Sequence, residues 1–381
     1  MIQLKQLSYW ERKSFFEDVD FLVIGAGIVG YSTALNLKKK YKDAKILIIE
    51  RGFIPSGASS KNAGFACFGS VSEIVDDLSK TSSSVVWDTV AKRWEGLKVL
   101  TELIGVGSPK TIAGYQRFGS WDLLMPNQGD LLNNCRENLA YINVELERIT
   151  KVKNCILEDT SVSTRFGFSG LSTSFYNCLE GQLDTGKMNK RFYQLAIEND
   201  IDVLFGVEVL SFESYEDKVH VQTSIGEFDG LNVLICTNGF APQLIDEDVV
   251  PARAQVLVTS PIQNLKIKGT FHYDCGYYYF RNVEDRILLG GGRNLDFEGE
   301  ETTKLETTQQ IVDALKELLS SVIIPHQAFQ IEYQWAGIMG VGKTKQPIVK
   351  LLHHNVGVGV RLGGMGVAIG SLVGQELADM F

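Results

Sequence analysis

The sequence predicts an α/β domain with a parallel, dinucleotide-binding sheet, interleaved with an α+β domain built on a mostly antiparallel sheet. Three observations carry this expectation. Asp20 to Arg51 reads as strand, glycine turn, helix and strand, with an acidic residue closing the second strand. A second glycine-bearing turn, Gly363 to Gly366, stands between a strand and a helix at the other end of the chain. Between them, Pro251 to Gln334 is rich in short strand-like runs (QVLVTSP, TFHYD, GYYYFR, RILLGGG). A chain of 381 residues exceeds one simple core, so one large or two interleaved domains are expected. The divisions are 1–80, 150–250 and 330–381 for the nucleotide domain, and 81–149 with 251–329 for a substrate or cap domain.

Taken in order, the N-terminal aromatics Tyr9, Trp10, Phe15 and Phe16 are expected to cap a core edge. Phe21 to Ile24 is an apolar run suited to a parallel strand covered on both faces. Gly25, Gly27 and Gly30 follow as G-x-G-x-x-G. One glycine serves the tight turn, one lets backbone approach a pyrophosphate, and one allows close helix–strand packing. The helix opening at Ile28 turns unpaired N–H groups and a positive dipole end toward phosphate. Ile46 to Ile49 is the next strand, and Glu50 closes it about 20 residues past the last glycine, where a ribose-binding carboxylate belongs. Arg51 to Ser70 reads as a loop leading into a short helix beside the crevice. Its Arg51, Ser59, Ser60, Lys61 and Asn62 suit phosphates and hydroxyls, while Ala63 and Gly64 let backbone lie against a flat ring.

Val71 to Ile149 has apolar residues at three- and four-residue steps, predicting helices over the site with Lys92, Arg93 and Arg136 on solvated faces. A helix is expected at Arg191 to Asn199, then strands in VLFGVEVLSFES and a hairpin from KVHVQTS to GEFDG. Asn232 to Phe240 is a buried strand ending in the turn Thr237-Asn238-Gly239. In GYYYFR, alternation places Tyr277, Tyr279 and Arg281 on one face and Tyr278 and Phe280 on the other. A helix is expected at about Thr307 to Ser320. The C-terminal part reads as a turn-rich segment from Trp335, a strand at Val356 to Val360 and a helix from about Val367.

Composition excludes several classes. A formal charge of −9 without a basic run makes nucleic acid and anionic membrane poor partners. The six cysteines are scattered without metal-ligand spacing, which predicts free thiols in a reducing compartment and no metal. Met1 to Asp20 is polar and charged, and no apolar run approaches a membrane span, so cytoplasm is the expected location and no integral membrane segment is expected.

DFLVIGAGIVG with Glu50-Arg51, then GASSKNAGF, EGQLDTGKMNK, ICTNG and RLGGMGVAIG, in that order, resemble the D-amino-acid-oxidase-like FAD oxidoreductases. Within them the chain is most similar to the gamma-glutamylputrescine oxidoreductase branch. The resemblance implies a Rossmann-like FAD-binding domain of the glutathione-reductase type and noncovalent FAD, because the last cysteine, Cys275, precedes the C-terminal segment where some relatives attach flavin. It places Gly25, Gly27 and Gly30 on the pyrophosphate and Glu50 on the adenosine ribose. Ser59 to Phe65 would run along the ribitol and flavin ring, Val209 against the adenine, and Thr237 and Gly239 near the phosphates. Gly363, Gly364, Met365, Gly366 and Val367 would face the pyrimidine edge of the flavin.

The reaction implied is oxidation of a C–N bond of a small amine or amino acid, with oxygen or a carrier as electron acceptor. No acid or base is assigned, and His220, His272, His326, His353 and His354 are read as surface or structural. One departure stands out. Where amino-acid oxidases of the family carry an arginine that clamps the substrate carboxylate, this chain has Met339, which offers no guanidinium fork. Tyr279, Arg281 and Met339 are therefore the substrate-pocket candidates, with Arg281 as a possible substitute clamp. A D-amino-acid or N-methyl-amino-acid oxidase, an NAD-dependent dehydrogenase and a tRNA-modifying flavoprotein remain open at this point, as does the oligomeric state.

Overall fold

Val19–Ile24 lies inside an eight-stranded sheet. The computed structural model describes residues 3–105 and 113–381; residues 106–112, inside the stretch expected to be helical, lie outside the described residues. The sheet runs Ile348–His353, Val356–Val360, Gly226–Ile235, Val19–Ile24, Ile46–Glu50, Asp202–Phe205. From Val356–Val360 to Asp202–Phe205 every pairing is parallel. Leu22, Val23, Leu47 and Ile48 are completely buried because both faces are covered. On one face the helices Ile28–Lys40, Thr185–Glu198 and Gly366–Ala378 contribute Tyr31, Leu37, Phe192, Val373 and Leu377 to a shared core. On the other, the expected hairpin forms: Val219–Thr223 pairs antiparallel with Gly226–Ile235 and brings Val219, Val221 and Phe228 onto Leu22 and Leu47.

The second sheet also has eight strands, ordered Ile331–Val341, Val250–Thr259, Arg286–Gly291, Tyr278–Val283, Thr270–Tyr273, Ser120–Leu124, Thr173–Asn177, Ile156–Glu158. Only the pairing of Thr270–Tyr273 with Ser120–Leu124 is parallel. Its core stacks Trp121 on Phe271 and Phe271 on Phe280, with ring centres 5.1 and 4.8 Å apart, beneath the helix Gln309–Leu318.

Several elements differ from expectation. Ser120–Leu124, in the stretch read as helical, is a strand buried along its whole length, so it carries no alternation to reveal it. Its one charge, Asp122, is satisfied by the Ser72 N–H at 2.7 Å and the Ser72 hydroxyl at 3.0 Å. Ile156–Glu158, Thr173–Asn177 and Ile331–Val341 lie in segments assigned to the nucleotide domain but pair in the second sheet, so the chain passes between the sheets more often than the divisions supposed. The segment from Trp335 read as turn-rich is part of the Ile331–Val341 strand. Arg93 is buried rather than solvated and pairs with Glu73 at 3.2 Å. Tyr9 and Trp10 are exposed rather than capping a core. Among the described residues no helix is long and apolar enough to cross a membrane.

Candidate active site

The carboxyl ends of Val19–Ile24 and Ile46–Glu50 open onto a cavity of about 560 Å³ that both domains line. Its nucleotide end is shaped by backbone. Gly25 has φ +108°, and a Cβ there would lie 3.0 Å from the Cys236 carbonyl oxygen. The Ile28 N–H at the helix start donates to Ser59 Oγ at 2.9 Å, fastening the Gly57–Asn62 loop over the glycine turn. Gly27 makes that approach possible, since a Cβ would stand 2.9 Å from the same oxygen. Glu50 accepts from the Ala26 N–H at 3.2 Å and the Gly52 N–H at 2.9 Å, so the buried carboxylate is locked at the turn. Arg51 pairs with Glu208 at 3.7 Å and lies 3.7 Å from the Phe240 ring centre.

The far glycine turn reaches the same cavity. Gly363 and Gly364 have φ +57° and +82°, and the helix Gly366–Ala378 starts directly after them. This brings a second helix N-terminus, with its unpaired N–H groups, to the cavity wall. Thr237, Val209, Ala63, Phe65 and the other expected cofactor residues line the cavity, with three exceptions. Gly30, Gly64 and Gly239 do not line it. Their side chains are missing for packing reasons: a Cβ would come within 1.9 Å of the Gly25 oxygen, 2.3 Å of the Leu183 oxygen and 2.4 Å of the Met339 oxygen respectively. For Gly30 this is the helix–strand packing role; for Gly64 and Gly239 the expected cofactor contact is replaced by backbone contact. Ser60 and Asn62 line the cavity but spend side-chain bonds holding their own loop, on Pro55 and on Ser59 and Gly64.

At the other end, Met339 and Tyr279 line the cavity as expected. Met339 Sδ is 3.2 Å from where a Cβ on Gly364 would be, so its thioether packs against the C-terminal turn. Tyr279 stands edge-on to Phe65 at 5.6 Å, and burial pushes its phenol up to about 12. Arg281 is not in the cavity wall. It donates to the Ala63 and Asn282 carbonyls and, at 3.0 Å, to the Leu183 carbonyl. Its donors are consumed by main chain, so it is a brace of the Ala63 loop and not a substrate clamp.

Sequence reasoning missed three features here. His272 lines the cavity; burial pulls it down to about 4 against the opposing charge of Glu73, and its Nε2 has no partner. Glu73 and Asp77, on the helix Val71–Lys80, clasp Lys345 at 3.1 and 2.7 Å. Burial alone would raise Glu73, but Arg93 and Lys345 outweigh it and hold the carboxyl at about 2. Arg293, beyond the strand Arg286–Gly291, also lines the cavity. The available signal was an arginine following the glycines that end a strand. Behind the wall, Glu180 accepts the Phe68 and Gly69 N–H groups at 2.7 and 3.1 Å while burial pushes it up to about 7.

The residues fit FAD in particular: two helix N-termini, a ribose-facing acid and a loop tied across the glycine turn share one cavity. Comparison with known proteins agrees. The family model described as FAD dependent oxidoreductase matches residues 20–380. A probable oxidoreductase OrdL of Haemophilus influenzae is 20% identical over 95% of this chain and 83% of its own length. Among solved structures, glycine oxidase from Geobacillus kaustophilus has a TM-score of 0.75 at 18% identity, covering 95% of this chain and 94% of that one. L-proline dehydrogenase from P. horikoshii has a TM-score of 0.73 at 18% identity, covering 96% and 93%. At such identities these structures show a shared fold.

Proposed function

The chain belongs to the FAD-dependent oxidoreductase family, and from that premise we propose that it oxidises a C–N bond of an amine related to gamma-glutamylputrescine, holding FAD noncovalently. The observation that carries the reading is Met339 packed on Gly364, where the second helix N-terminus meets the cavity. Bound FAD supplies the two-electron chemistry, accepting a hydride from the carbon beside a neutral amine nitrogen and leaving an imine for water to hydrolyse.

The chain's own residues supply the rest. Glu50 receives the adenosine ribose, and Gly25, Gly27 and the start of the Ile28–Lys40 helix receive the pyrophosphate. The start of the Gly366–Ala378 helix stabilises negative charge at the ring edge that it faces. Phe65, Tyr279 and Met339 form an apolar wall that excludes water and favours the uncharged amine over its ammonium. His272, kept neutral by burial, adds no competing positive charge.

The test is anaerobic bleaching of the FAD-loaded protein by D-amino acids, N-methyl amino acids and gamma-glutamyl polyamines. Bleaching by the polyamine conjugates supports the reading. Bleaching by alpha-amino acids alone moves the substrate to the amino-acid oxidase type, and bleaching by none removes C–N oxidation as the activity. The electron acceptor is oxygen or a carrier, and the speed of colour return in air-saturated buffer distinguishes them.

A further inference from the structure

We propose that Arg293 binds a carboxylate carried at the far end of the substrate, several bonds from the oxidised C–N bond; this rests on the C–N oxidation read above. Arg293 follows Gly292, whose φ of +77° turns the chain out of the Arg286–Gly291 strand. Its guanidinium lies over Phe297, 5.0 Å from the ring centre. Phe297 is 44% exposed and stands edge-on to Tyr277, itself 41% exposed and in the cavity wall, which puts the guanidinium at the cavity mouth.

The other cations around the cavity are engaged. Arg51 pairs with Glu208, Lys80 with Asp76 at 2.6 Å, and Lys345 with Glu73 and Asp77. Arg293 has no acidic partner within ion-pair distance among the described residues, and its Nε is buried without an acceptor. A buried guanidinium N–H without an acceptor is costly, and a ligand that supplies one removes the cost. A planar fork with five donors matches a carboxylate better than any neutral group.

Position sets which carboxylate. Gly291 pairs with Gln255, and Gln255 with Ala336 on the strand that carries Met339. Two strand spacings separate these positions, roughly 10 Å. A carboxylate on the carbon bearing the amine does not bridge from the flavin-facing wall to the mouth. A carboxylate at the end of a chain of several methylenes or an amide does. Met339 in place of a fork beside Gly364 agrees with this, since no guanidinium is offered to an alpha-carboxylate there.

The experiment titrates FAD-loaded protein with a series of aminoalkanoates, from glycine to 6-aminohexanoate, and with alkylamines of matched length. The readout is perturbation of the flavin absorbance, which reports binding whether or not turnover occurs. The longer aminoalkanoates are expected to bind about 10- to 100-fold more tightly than matched alkylamines and than glycine. Arg293→Met is expected to retain FAD and abolish that difference, and Arg293→Lys to restore part of it. Equal affinity for carboxylated and plain amines in the wild type, or an unchanged preference in Arg293→Met, overturns the proposal. So does displacement of 6-aminohexanoate by inorganic phosphate at comparable concentration, which would mark a phosphate site. If aminoalkanoates bind through Arg293 but no amine bleaches the flavin, the carboxylate site stands and the C–N oxidation falls.

Discussion

The nucleotide end of the cavity is shaped by backbone and the substrate end by side chains. Gly25, Gly27 and the Ser59-capped helix start form a surface in which almost any side chain would intrude. At the other end Met339, Tyr279, His272 and Arg293 define the wall by size, charge and what they leave unpaired. The same contrast separates two arginines twelve positions apart in sequence. Arg281 is spent on three carbonyls and stabilises the loop beside the cavity, whereas Arg293 reaches the cavity with no acidic partner among the described residues. The first kind of site is dictated by geometry that many ligands with a pyrophosphate share. The second is where one substrate is told from another.

The largest effect should come from breaking the backbone end. Gly30→Val places atoms within 1.9 Å of the Gly25 oxygen, so the helix cannot pack on its strand. The expected result is protein purified without flavin, checked by absorbance near the flavin band; a yellow variant would show that this packing is dispensable.

Next comes the contrast between the arginines. Arg281→Met leaves buried carbonyls without donors, at about 1–3 kcal/mol each, so a loss of at least about 3 kcal/mol is expected in urea unfolding. Arg293→Met should stay within about 0.5 kcal/mol of wild type in the same assay, as expected where no native protein contact is lost. Equal losses would erase the distinction.

Met339→Arg places a fork beside Gly364 and should improve kcat/KM for an alpha-amino acid over its decarboxylated amine by about tenfold. No change in that ratio would mean that carboxylate selection is confined to the mouth.

The smallest effect is acid sensitivity of the substrate end. His272 is depressed from 6.5 to about 4. Between those values the unfolded chain binds a proton that the folded chain refuses, so stability declines as pH falls from 6.5 toward 4 and is fully present above 6.5. His272→Asn should flatten that part of the stability–pH curve. Glu73, held at about 2 instead of 4.5, adds a further decline below pH 4.5 that His272→Asn leaves in place.

The same contrast explains what the sequence reveals. The parallel strands, both glycine turns and Glu50 are legible because backbone geometry restricts residue type: only glycine fits where Gly25 and Gly364 turn, and only apolar residues fill a doubly covered strand. Ser120–Leu124 is not legible, because a short strand buried on both faces has neither alternation nor a length that separates it from helix. Arg281 and Arg293 are indistinguishable as letters. Only the partners around them, three carbonyls in one case and an aromatic ring in the other, assign one to structure and the other to ligand. His272 is hidden for the same reason, since its strand alternates without indicating which face meets the cavity.

The account rests on one cavity holding FAD without a covalent bond. The direct measurement is to denature the purified protein, separate chain from supernatant, and examine both. The account predicts a yellow supernatant containing FAD in equal molar amount to the chain, and a colourless chain of the unmodified 42.3 kDa mass. A colourless supernatant with flavin mass retained on the chain would contradict the noncovalent site, and no flavin in either fraction after incubation with FAD would contradict the site itself.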